Sequence, residues 1–143
     1  MSLTPEEVRA YISDQARNNH LLDDEEFTDF EISLAMDLAV DEFNMMPPLS
    51  QQHRNTFPFK SLLMTGTLWK MFLGKSALLA RNNFNYSDGG VQVPLEERFP
   101  LYQSLAAMFE ASFKSSSRDA KDAMNLASGW GEVRSDEAYF PRW

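Results

Sequence analysis

Four groups of side chains in this chain are of types that do chemistry: the acidic run Asp23-Asp24-Glu25-Glu26, the pair Asp37 and Asp41, the histidines His20 and His53, and the turn Ser87-Asp88-Gly89-Gly90. Carboxylates in a row suggest a hard-cation or acid/base site, but a run placed just before a helix is favoured by the exposed amides and the dipole there. We read Asp23 to Glu26 as capping. Asp37 and Asp41 stand one helical turn apart, and two carboxylates do not make a calcium or magnesium shell. His20 and His53 sit in polar connectors and lack the paired spacing of helical zinc sites. Asp88-Gly89-Gly90 lacks the Gly-x-x-x-x-Gly-Lys-Ser/Thr pattern that cradles phosphate, and the next cation is Arg98. Ser87 has no Gly-x-Ser-x-Gly context. The expectation is no enzyme, no metal and no cofactor.

The elements that would hold these residues are helical. Thr4-Pro5-Glu6-Glu7 combines an N-cap hydroxyl, a proline at the first helical position and a reciprocal glutamate, so a short helix starts there with Val8, Tyr11 and Ile12 on its apolar face. Phe27, Phe30, Leu34, Leu38 and Met45 recur at helical steps and are expected on one side of a second helix. Met46-Pro47-Pro48 ends it.

Lys60 to Asn83 is the longest helical candidate and the expected central helix. Lys60, Thr67, Gly74 and Arg81 form a narrow polar stripe, while Leu63, Trp69, Met71, Phe72, Leu78 and Leu79 cover most of the rest, so this helix needs neighbours on several sides. Gly66, Gly74, Ser76 and Ala77 suit close approach of another backbone, in the core or at a subunit contact. Pro100 suits the start of the fourth helix, with Leu101, Leu105, Met108 and Ser112 in one row and Tyr102, Leu105, Phe109 and Phe113 in the next. Ser115-Ser116-Ser117 leaves open whether Ala120, Ala123, Met124 and Ala127 continue it or form another.

Between the two longest helices, Phe84/Tyr86 and Val91/Val93 alternate around Asp88-Gly89-Gly90 as a short β-hairpin would, projecting over 84–93. Gly129 and Gly131 break the last helical pattern, leaving an arm with Trp130, Tyr139, Phe140 and Trp143, which docks on its own body or on another chain. The expected fold is mainly α: a bundle of about four helices over 1–127 with the hairpin, then an extended aromatic C-terminal arm over 128–143.

Composition narrows the partners. With 21 Asp+Glu against 13 Lys+Arg and a formal charge of -8, the chain is poorly suited to neutralising phosphates, which disfavours sequence-independent wrapping of nucleic acid; no sequence-specific nucleic-acid binding is expected either. The absence of cysteine removes disulfides and thiolate chemistry. The first residues, MSLTPEEVRAY, are acidic where a secretory signal is basic and then apolar, so no export signal is expected. Leu62 to Ala80 is interrupted by Lys70 and Lys75, so no membrane span is expected.

The helix ending ALLARNNF, the excursion NYSDGGVQVP, the return helix and the aromatic arm, spanning roughly Asp24 to Trp143, resemble the small, mainly helical virion proteins that form rings at the neck or head–tail junction of tailed bacteriophages. The resemblance implies a non-enzymatic structural protein of the virion, made in the host cytoplasm. It implies a homo-oligomeric ring that contacts the portal and other neck or tail proteins and surrounds a channel through which DNA passes. Its contact residues would be Tyr86, Asp88, Gly89, Gly90, Val91 and Val93 in the loop, and Trp130, Tyr139, Phe140 and Trp143 in the arm. The alternative is a cytosolic regulatory or adaptor protein that binds a partner through the aromatic segment.

Overall fold

The chain was described by a computed structural model covering residues 2–19, 24–81, 87–88, 91–92 and 98–131. Helix α1, Pro5–Ile12, starts at the Thr4/Glu7 capping box and ends at Ser13, whose φ of 56° is left-handed. Helix α2, Asp29–Met45, starts at a second capping box, Thr28 with Glu31. Helix α3 spans Lys60–Arg81 and helix α4 spans Arg98–Gly131.

The three long helices run up, down and up around α3. Phe72 of α3 lies beside Tyr102 and Phe109 of α4, whereas Trp69 and Gly66 lie beside Phe113, so α3 and α4 are antiparallel. Phe27 meets Phe72 while Ala39 meets Gly66, which sets α2 antiparallel to α3 as well. The bundle core holds Ile32, Met36 and Phe43 of α2, Leu63 and Leu68 of α3, and Phe113 of α4. The central position expected for α3 follows from this packing.

The expected β-hairpin is not part of this fold. Only two bridges occur among the described residues between α3 and α4, Ser87 with Gln92 and Asp88 with Val91. Two residues a side fall well below the about five or six of an ordinary strand, so this is a bridged turn. The last helix also runs farther than expected: it continues through Gly129 to Gly131, because a glycine in a helix costs only about 1 kcal/mol, and the rest of the expected arm lies outside the described residues. Ser115-Ser116-Ser117 is likewise helical, and α4 is one element of 34 residues.

Three further expectations are revised. The acidic run precedes α2 instead of capping it, and Asp29 and Glu31 occupy the first turn. The apolar row of α2 has only Phe27 in the core; Phe30 and Met45 are 75% and 74% exposed, and Leu34 and Leu38 face outward too. The polar stripe of α3 is interrupted at Thr67, which is buried and donates its hydroxyl to the Leu63 carbonyl at 2.7 Å.

Polar side chains fix the bundle at both ends. The buried carboxylate of Asp14 accepts from the Glu26 and Phe27 amides at 2.8 and 3.0 Å and from Asn19 at 2.6 Å, which shapes the entry to α2. At the other end, Lys121 is 2% exposed; its ammonium donates to the Pro48 carbonyl and the Ser50 hydroxyl at 2.7 and 2.6 Å, over the Phe43 ring.

Candidate functional site

The carboxylates that suggested chemistry are occupied with structure. Glu25 pairs with Arg9 at 3.1 Å, and Arg9 also pairs with Asp29. Glu26 accepts from the Tyr102 hydroxyl at 2.5 Å and lies 4.0 Å from the Lys75 ammonium. Burial, and then this bond to a carboxylate, push the Tyr102 phenol well above its ordinary value. Asp37 meets Arg54 at 3.4 Å, and Asp41 and His53 are exposed. His20 and Asp23 lie outside the described residues. Among the described residues no group of three or more His, Cys, Asp or Glu is placed to hold a metal, and no helix is long and apolar enough to cross a membrane.

The surface offers apolar faces instead. α2 is apolar on two sides: Ile32, Ala35, Met36, Ala39, Val40 and Phe43 fill the core, and Phe30, Leu34, Leu38 and Met45 are left outside. Where the outer row meets α3, a groove with a cavity of about 340 Å³ opens. Leu34, Leu38, Met71 and Leu78 line it, together with Gly74, where a Cβ would meet nothing within 4 Å.

The groove's polar lining is mostly cationic: Lys70, Lys75 and Arg81, with Glu31 as the carboxylate. Lys70 pairs with Glu42 at 3.0 Å and stands 3.8 Å over the Trp69 ring; Lys75 donates to the Glu26 carbonyl at 3.0 Å. These bonds brace the groove walls. The Thr28 amide holds the Glu31 carboxyl below its ordinary value, so it remains ionised near neutrality.

α4 carries a second apolar row, Leu101, Leu105 and Met108, exposed beside the row Tyr102, Phe109 and Phe113 that packs inward. Its far end overhangs the body. Met124 still packs against the core, whereas residues 125–129 are all exposed, with Leu126 at 62%. Exposed apolar rows of this kind are candidate contact surfaces.

The residues expected to make contacts are only partly placed. Asp88 and Val91 face each other in the bridged turn, and Trp130 belongs to the last turn of α4. Tyr86, Gly89, Gly90, Val93, Tyr139, Phe140 and Trp143 lie outside the described residues. Leu34, Leu38 and Leu78 were not among the expected contact residues, whereas Gly74 was, as a point of close approach in the core or at a subunit contact. The signal of the leucines in the sequence was the helical row itself, which periodicity alone assigns to no particular side.

Comparison with protein-family models, with characterised proteins and with solved structures gives no match.

Proposed function

We propose that this chain is a non-enzymatic structural subunit of a tailed-phage particle, a neck or head–tail connector protein that assembles with copies of itself into a ring. The observation that carries the assembly is the outer row of α2: Phe30, Leu34, Leu38 and Met45 are exposed on a helix whose opposite face already fills the core. Covering such side chains is favourable by up to about 1.5 to 3 kcal/mol for the most exposed, Phe30 and Met45, and by less for the half-exposed Leu34 and Leu38. The phage setting rests on the resemblance in layout, from the α3 ending through the connection to α4 and the aromatic segment that follows.

The mechanism is geometric. In a closed ring every subunit presents the same patch and its complement, so modest contacts repeat and add to a durable joint. The groove of α2 and α3, the outer row of α4 and the overhanging α4 end supply such contacts on different sides of one body. An acidic subunit of charge -8 lets DNA pass through the ring without adhering. The portal and the adjoining neck or tail proteins are the neighbours in this reading.

The location is testable on particles. Antibody raised against the purified chain should label intact virions at a single position on the tail axis. Absence of the chain from purified virions contradicts the proposal and favours a cytosolic adaptor.

A further inference from the structure

We infer that the groove between α2 and α3 is the receptor for the segment after Gly131 of a neighbouring copy, with Asp136-Glu137-Ala138-Tyr139-Phe140 as its core. The inference rests on the reading of the chain as a homomeric assembly subunit and names the surface that joins one copy to the next. Two features select this occupant.

The first is chemical complementarity. The groove joins an apolar floor, Leu34, Leu38 and Leu78, to one carboxylate, Glu31, and three cations: Lys70, which is paired with Glu42, Lys75, which donates to the Glu26 carbonyl, and Arg81. The segment sets two carboxylates one residue before two aromatic rings, within a run of five residues that contains no cation. Aromatic rings fill an open groove beside Gly74, where no side chain intervenes, and the carboxylates meet the cationic wall.

The second is reach. Phe72 is flanked by Tyr102 and Phe109, so the middle of the groove, near Gly74, is level with the first turns of α4. At about 1.5 Å per residue, the end of α4 lies roughly 40 Å farther along the bundle. Eight or nine extended residues carry Tyr139 and Phe140 at most about 30 Å from Gly131. The aromatic pair therefore falls short of Gly74 on its own body and is free to enter the groove of a neighbour.

The absence of cysteine allows a direct test on the full chain. One preparation carries Gly74→Cys in the groove and another Ala138→Cys beside the aromatic pair. When the two are mixed and oxidised, the mixed disulfide dimer should form roughly tenfold faster than either like-with-like dimer, because docking raises the effective concentration of the pair. Adding Leu34→Glu, at an exposed position of α2, to the groove partner should remove that excess while the helical circular dichroism stays unchanged. Sedimentation of the unmodified chain is measured alongside.

An oligomeric chain without excess mixed dimer overturns the groove assignment and leaves the assembly reading standing. A monomeric chain without mixed dimer overturns both. Rapid closure within single molecules of the double variant, Gly74→Cys with Ala138→Cys, shows the segment folding back on its own body and also overturns the inference.

Discussion

Gly66 of α3 faces Phe113 of α4 so closely that a Cβ added at Gly66 would stand 2.6 Å from the phenyl ring and 2.8 Å from the Ala39 methyl of α2. The three long helices meet at this point, and the missing side chain permits their approach. Neither neighbour is the tip of a flexible chain, so neither yields cheaply.

Gly66→Ala should therefore destabilise the fold by about 2 to 3 kcal/mol, the cost of overpacking a filled core. Gly74→Ala, in the same helix but facing open space, should stabilise it by about 0.5 to 1 kcal/mol through helix propensity. Urea denaturation of both variants checks the contrast. Equal effects at the two sites would show that the helix crossing lies elsewhere.

Lys121 gives a pH-dependent prediction. Burial away from water lowers its pKa from the ordinary 10.5. Between the lowered value and 10.5 the unfolded chain holds more protons than the folded one, so this residue's contribution to stability rises with pH across that window. Lys121→Met keeps the apolar stem but leaves the Pro48 carbonyl and Ser50 hydroxyl without their donor, at a cost of about 1 to 2 kcal/mol at pH 7. The gap between wild type and variant should widen toward pH 10.5 in urea titrations. A constant gap would place the ammonium in water.

Tyr102 works in the opposite direction. Its phenol is held above the ordinary 10.0 by burial and by the bond to Glu26, so the folded chain keeps a proton that the unfolded chain loses. Its stabilising contribution is complete below pH 10 and is lost as pH rises above it. Tyr102→Phe should cost about 1.5 kcal/mol at neutral pH and lose less stability than wild type above pH 10. Parallel curves for the two proteins would contradict the bond.

Asp14 organises the entry to α2 by accepting from two backbone amides and from Asn19. Asp14→Ala should destabilise by about 3 kcal/mol, since the Glu26 and Phe27 amides lose their acceptor. Hydrogen exchange should show the Glu26 and Phe27 amides exposed first in the variant. Protection equal to wild type at both amides would contradict the role.

The sequence makes the helices visible and hides their orientation. The Thr4/Glu7 box and the Met46-Pro47-Pro48 stop are local signals and match the boundaries. Thr28 and Glu31 carry the same box signature, but the acidic run just ahead of them resembles a helix start and obscures it. The row Phe30, Leu34, Leu38 and Met45 shows that α2 is helical, yet Ile32, Met36, Val40 and Phe43 make its other side equally apolar. Periodicity does not tell which of two apolar sides meets α3. Thr67 reads as a surface residue because the bond from its hydroxyl to Leu63 cannot be seen in composition, and nothing local marks Lys121, whose acceptors lie more than 70 residues earlier. The groove itself needs α2 and α3 side by side, and no short motif records that pairing.

Sedimentation velocity of the full chain at physiological salt, across a wide concentration range, tests the central claim most directly. The account predicts a closed oligomer whose mass is a fixed multiple of the 16.4 kDa chain and does not keep growing with concentration. A species of 16.4 kDa at every concentration would contradict it.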